Sequence, residues 1–156
     1  MRLAHLLGFL AALSLLSSPA LADEAPTASE IKKVMDFFRN GQGKGPVLVD
    51  LVPCLKVDRP APGKKKDCLE GVADEVPKGT VVNAFTRWFV PEGDTYELTF
   101  EWLHEGEVVS SGTVTVEGSF GYGTWKAKSL TKAGAWEVRV KRGDDVLGSA
   151  KMTAGK

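Results

Sequence analysis

The sequence predicts a mainly β chain, an antiparallel β-sandwich with one short N-terminal helix. Three stretches carry this prediction. Tyr96, Leu98, Phe100 and Trp102 alternate with Glu97, Thr99 and Glu101. Successive strand residues point to opposite faces, so this stretch has one apolar face and one wet face. After Glu105-Gly106, the run Val108 to Val116 resumes in Val and Thr, residues that suit a pleated, half-buried surface. The two runs read as a β-hairpin at the centre of the domain. Ala135 to Lys141 alternates again, with Trp136, Val138 and Val140 inward and Glu137, Arg139 and Lys141 outward. Turn signals at Pro91-Glu92-Gly93-Asp94 and Gly143-Asp144-Asp145 separate these and further short strands, a pattern of immunoglobulin-like type. Both cysteines precede every tryptophan, so the Cys…Trp…Cys order of immunoglobulin domains is absent. The architecture is predicted without that ancestry.

The elements follow in chain order. Arg2 begins a short basic region, Leu6 to Leu16 is apolar, and Ala20-Leu21-Ala22 offers small residues at both recognition positions of a cleavage site. Residues 1–22 therefore read as a signal peptide, too short in its apolar run to span a bilayer in the usual way. Residues 23–45 read as a leader and an amphipathic helix. Ile31, Val34, Met35 and Phe38 fall at i, i+3, i+4 and i+7 over Ser29 to Asn40, one apolar stripe expected to dock on the β domain. A partner-binding helix is the alternative. Thr27 and Glu30 match a capping box, and Asn40-Gly41 a stop. Residues 46–156 are assigned to the sandwich. Pro46 to Val52 reads as a strand that Pro53 ends or marks as an edge. Val81 to Val90 reads as a strand with apolar residues on both parities, covered on both sides for part of its length or bulged. Gly118 to Trp125 reads as a glycine-rich link where the backbone crosses between sheets. Val146 to Met152 is the last strand.

Cys54 and Cys68 are the only cysteines. A lone pair in an exported chain reads as a disulfide closing the Pro/Gly/Lys loop between them, a stabilisation of roughly 3 kcal/mol. Their spacing is not Cys-x-x-Cys, and a redox or metal role has no support from it. The chain balances 20 Lys and Arg against 20 Asp and Glu. Removal of the signal takes away Arg2 and no carboxylate. A near-neutral chain argues against a nucleic-acid binder, and no second segment reaches membrane-spanning length. The expected location is periplasmic or secreted.

From Val81 to Met152 the chain is similar to an uncharacterised bacterial family, a domain of unknown function found in exported or membrane-linked proteins. The residues that resemble it are Trp102-Leu103-His104-Glu105-Gly106-Glu107-Val108, Thr124-Trp125-Lys126-Ala127-Lys128-Ser129-Leu130 and Gly134-Ala135-Trp136-Glu137-Val138. The resemblance implies a fold and export, and no activity.

The chemistry-bearing residues favour the absence of an enzyme. His104 is the sole histidine after the signal peptide, and Glu105 beside it points to the opposite strand face. No Gly-x-Ser-x-Gly motif supplies a nucleophile, so a structural or turn-capping His104 is expected. Glu97 and Glu101 share a face with Cα atoms about 13 Å apart, beyond the separation at which glycosidase carboxylates work as a pair. Gly118 to Gly123 lacks the Gly-Lys-Ser/Thr end of a phosphate loop. No cofactor or metal is expected. Trp102 and Trp136 are assigned to the core. Trp88, Tyr122 and Trp125 are candidate ligand contacts, able to stack on sugars or anchor a protein, or to pack as core. The leading expectation is a non-enzymatic exported binding module with a protein or glycan partner. A carbohydrate-binding module is second and a hydrolase third. N-terminal sequencing of the exported protein should begin at Asp23; a chain still starting at Met1 would refute the signal peptide.

Overall fold

The structure is a computed structural model and describes residues 25–41, 44–59, 65–73 and 75–155. The expected signal peptide and its expected cleavage site, and residues 60–64 between the cysteines, lie outside the described residues. Helix α1 spans Ala28–Arg39. The strands are β1 Val47–Val57, β2 Cys68–Gly71, β3 Glu75–Val76, β4 Val81–His104, β5 Glu107–Ser129, β6 Gly134–Arg142 and β7 Asp145–Ala154. The class is the expected antiparallel β-sandwich with one short helix, apart from a parallel pairing of β3 with β7.

One hairpin builds both layers. β4 has 24 residues and β5 has 23, far above the usual strand of about 5–6. The first half of β4 lies between β1 and the second half of β5, with Val52 opposite Phe85 and Phe85 opposite Trp125. Its second half lies between the first half of β5 and β6, with Phe100 opposite both Gly112 and Val140. β2 flanks β1 in the first layer, and β7 then β3 follow β6 in the second. Glu105 and Gly106 close the hairpin with φ of 49° and 85°, the two left-handed residues that suit the twist of a tight hairpin.

Pro91–Asp94 departs from expectation. It does not end the strand; it is where β4 bends from one layer into the other. Val90 pairs with Ser119 and Thr95 with Glu117, so four residues oppose Gly118 alone. A Cβ on Gly118 would lie 3.1 Å from Glu92 Cα, from Gly93 N and from Pro91 O. These are backbone atoms that cannot swing away, so the bend closes because residue 118 has no side chain. Gly118 to Trp125 is likewise strand, not link, although β5 does pass between layers there. Pro53 also sits inside β1, opposite Ala84, rather than at its end.

The main core lies between the layers. Val82, Ala84, Trp88 and Val90 of β4 face Leu98, Phe100 and Trp102 of its other half, with Trp136, Val138, Val140 and Met152. Trp102 and Trp136 are buried there as expected. Trp88 is fully buried as well, which corrects its candidacy as a ligand contact. Its indole N–H donates to Thr86 Oγ1 at 2.8 Å, and that hydroxyl donates to the Thr124 carbonyl at 3.1 Å. The polar handle of Trp88 is therefore satisfied inside the core. The opposite parity of β4 is covered too: Phe89 packs under α1 in a second small core with Val34, Phe37, Val47, Val49 and Phe120. Apolar residues on both parities of Val81 to Val90 thus mean a strand covered on both faces for part of its length, with Val81 itself exposed.

Gly118→Val should test the bend. Overpacking against fixed backbone typically costs about 1–3 kcal/mol, and a loss of that size is expected in chemical denaturation. Wild-type stability would show that the two strands can separate at this point without cost.

Candidate functional site

The outer face of the first layer carries the densest polar chemistry. It begins at α1. Thr27 N donates to Glu30 Oε2 at 2.6 Å and Glu30 N to Thr27 Oγ1 at 3.2 Å, the reciprocal capping box expected from sequence. The same carboxylate is buried under the helix. Arg87 Nη1 of β4 donates to Glu30 Oε1 at 3.1 Å, and Lys65 Nζ to Glu30 Oε2 at 3.2 Å. Arg87 Nη2 also donates to Asp67 Oδ1 at 3.0 Å and to the Lys66 carbonyl at 3.2 Å. Burial alone would push the Glu30 carboxyl up. Hydrogen bonds from the Thr27 backbone and hydroxyl, and the hydrogen bond and charge of Lys65, overturn this and hold it at about 2.

The expected disulfide is present and explains how Lys65 to Asp67 reach this face. Cys54 and Cys68 are bonded with Cα atoms 5.8 Å apart. Cys54 is held in β1 against Asn83 of β4. The bond therefore fixes the returning end of the loop beside β4. From there Lys66 Nζ lies 5.8 Å from the Tyr122 ring centre and 5.7 Å from that of Trp125, and Arg59 Cζ lies 5.1 Å from Trp125. Two of the three candidate ligand contacts, Tyr122 and Trp125, are thus brought to one cation, while Trp88 is in the core. Both rings are half-buried. They meet cations of their own chain, where sugar stacking would need open ring faces.

His104 stands apart from this cluster. Its Nε2 is 2.9 Å from the Ala133 carbonyl, and its ring is 5.0 Å from Trp136. Glu105 Oε1 accepts from Ala135 N at 2.7 Å. Both side chains therefore tie the β4–β5 turn to the start of β6. A Cβ on Gly134 would fall 2.2 Å from Glu105 Oε1 and 3.3 Å from His104 Nε2, so glycine makes room for the tie. Glu101 is paired with Lys141 at 3.2 Å.

The helix docks on the sheet as expected, but of the expected stripe only Val34 faces inward. Glu30, Val34 and Phe37 face the sheet, whereas Ile31, Met35 and Phe38 are 44%, 64% and 43% exposed. Both sets have the spacing i, i+4, i+7. The ion pairs of Glu30 decide between them by drawing the acidic position inward. An apolar stripe is left outward, and it continues into the sheet. The Phe38 ring is 6.1 Å from Phe89 and edge-on, and Phe89 is 5.1 Å from Phe120. Beyond them a groove of about 290 Å³ is lined by Phe89, Val90, Glu92, Gly118, Ser119 and Phe120. The paired Phe37-Phe38, one ring inward and one outward, was the sequence signal for this surface.

No protein-family model matches the chain, and no curated protein does. Among solved structures, an immunoglobulin-like protein from Pseudomonas aeruginosa is similar at 20% identity over 67% of this chain and 91% of its own, with a TM-score of 0.42. A protein from Bacillus anthracis, provisionally described as a lipoprotein, is similar at 15% identity over 65% of this chain and 84% of its own, with a TM-score of 0.32. Neither likeness bears on function. Among the described residues no helix is long and apolar enough to cross a membrane.

Glu30→Gln should expose the role of the buried carboxylate. Its pKa is depressed from 4.5 to about 2, so its stabilisation is complete above the unfolded value and is lost as pH falls through the folded one. The variant should be less stable near neutral pH by roughly 2–3 kcal/mol. The gap from wild type should narrow as pH drops below about 4.5. Parallel stability curves would show that Glu30 acts through packing and not through charge.

Proposed function

We propose that this chain is a non-catalytic protein-interaction module that works after export. Its contact surface on this reading is the α1 stripe Ile31, Met35 and Phe38, extended by Phe89 and Phe120. The exposed stripe is the observation that carries the reading. Large apolar side chains gathered on one helical face and beside a groove mark interaction sites more often than scattered surface residues do. A helix face of this spacing also suits recognition by i, i+4, i+7 anchors. Export is supported by the disulfide and by the apolar Leu6 to Leu16 segment. The covering of Tyr122 and Trp125 by Lys66 and Arg59 weighs against a carbohydrate-binding module.

A photo-crosslinking residue at Met35, introduced in cells that export the protein, should give a discrete protein adduct. The same residue at Lys151, on the far layer, should not. Adding Ile31→Ser and Phe38→Ser to the Met35 probe should remove the adduct while the melting temperature changes little, because both side chains are largely exposed. Equal adducts at Met35 and Lys151 would overturn the assignment of the surface.

A further inference from the structure

The chain has three methionines. Met1 belongs to the expected signal peptide. Met152 packs in the main core and is 4% exposed, whereas Met35 is 64% exposed. Among the described residues no large apolar side chain is more open than Met35. It holds the middle position of the α1 stripe, four residues after Ile31 and three before Phe38, and residues at these spacings are neighbours on a helix surface. A thioether sulfur is attacked by peroxides where they can reach it, and oxidation turns a flexible apolar side chain into a polar one. The competing groups are withdrawn. Both cysteines are already bonded to each other. Trp88, Trp102 and Trp136 are buried, and Trp125 is half-buried beside Arg59 and Lys66. Among the described residues, Met35 is therefore the one fully open side chain that mild peroxide oxidises.

We propose that Met35 is a site of oxidative modification, and that its sulfoxide switches the α1 stripe from an apolar contact face to a polar one. The step is a two-electron oxygen transfer from a peroxide. The peroxide O–O bond breaks and a sulfur–oxygen bond forms. The sulfur is oxidised by two electrons, and hydrogen peroxide leaves as water. The new oxygen is a hydrogen-bond acceptor in the middle of the stripe. A protein that covered Ile31, Met35 and Phe38 would then have to bury that acceptor or supply it with a donor, and an unpaired buried acceptor is costly. The fold itself is spared. Glu30, Val34 and Phe37 hold the helix from its other side, so the oxygen is added where nothing of the sheet is packed. The modification changes what the helix offers and not how it is held. The switch rests on the stripe being the contact surface proposed above; the modification site does not.

The exported protein, purified and treated with dilute hydrogen peroxide, should gain one oxygen at Met35 in peptide mass maps, about tenfold faster or more than at Met152. The oxidised protein should elute earlier from a hydrophobic-interaction column, with its melting temperature close to that of the untreated protein. With the photo-crosslinking residue at Ile31 and Met35 intact, oxidation before mixing with an extract of the exporting cells should lower the adduct by about tenfold. Met35→Gln should lower it likewise without peroxide. In Met35→Leu, peroxide should leave the adduct at whatever level that variant shows untreated. Equal oxidation of Met35 and Met152 would overturn the modification site. Selective oxidation that left retention and adduct unchanged would overturn the switch. Absence of any adduct before oxidation would instead overturn the reading of the stripe as a contact surface, and the peptide map would still decide the site.

Discussion

The structure depends on two long strands being able to bend together. A flat hairpin of this length would expose its apolar face. Bent at Pro91–Asp94, it folds that face upon itself and becomes the frame of both layers. The bend is possible because Gly118 lets the β4 backbone come within 3.1 Å of where a Cβ would stand. Everything else attaches to that frame. β1 and β2 extend one layer, β6, β7 and β3 extend the other, and α1 rests on the outside. The same two strands pair on both sides of the bend, with the register broken only between Val90–Ser119 and Thr95–Glu117, and the main core is shared rather than split. Neither layer has an independent set of strands with which to persist alone, so a single cooperative unit is the physical expectation.

The second determinant is polar. Glu30 serves two structures with one carboxylate, capping its own helix and receiving Arg87 and Lys65. Burying an ion is unfavourable unless its lone pairs are satisfied and an opposite charge is near, and here both conditions hold. The arrangement sets the rotation of α1 about its axis. A helix docked by its whole apolar stripe would hide Ile31, Met35 and Phe38 along with Val34. Docked by Glu30, it hides Val34 and Phe37 and shows the other three. The disulfide contributes at a distance, because it holds Lys65 and Asp67 where Glu30 and Arg87 meet them.

Much of this was legible in the chain, for local reasons. Alternation placed Trp102 and Trp136 inside, because a strand with one wet face has only one way to lie. Glu105-Gly106 showed the turn, Thr27 and Glu30 the helix start, and the lone cysteines their bond. The rest depends on distant residues. Pro91-Glu92-Gly93-Asp94 has the composition of a reversal, and only its pairing against Gly118 makes it a bend. Trp88 was open to a surface role because its strand is apolar on both parities; its burial rests on Thr86 and Thr124 satisfying the indole. The exposed stripe was visible as a periodic pattern, but its direction was set by Arg87, far along the sequence. The candidate site was correspondingly half legible. Tyr122 and Trp125 do meet in space, with the cations that cover them coming from a loop no periodicity could place there.

The chain has four tryptophans, and three of them, Trp88, Trp102 and Trp136, are sealed from solvent. Trp125 alone lies partly open, beneath Arg59 and Lys66 of the disulfide loop. The indole fluorophores are therefore divided by environment, three in a dry surround and one beneath positive charge. Emission at the long-wavelength side belongs to Trp125, and quenching by an added anion or by acrylamide reaches it first. The protein thus carries one indole whose emission reports on the cations of Arg59 and Lys66 beside it.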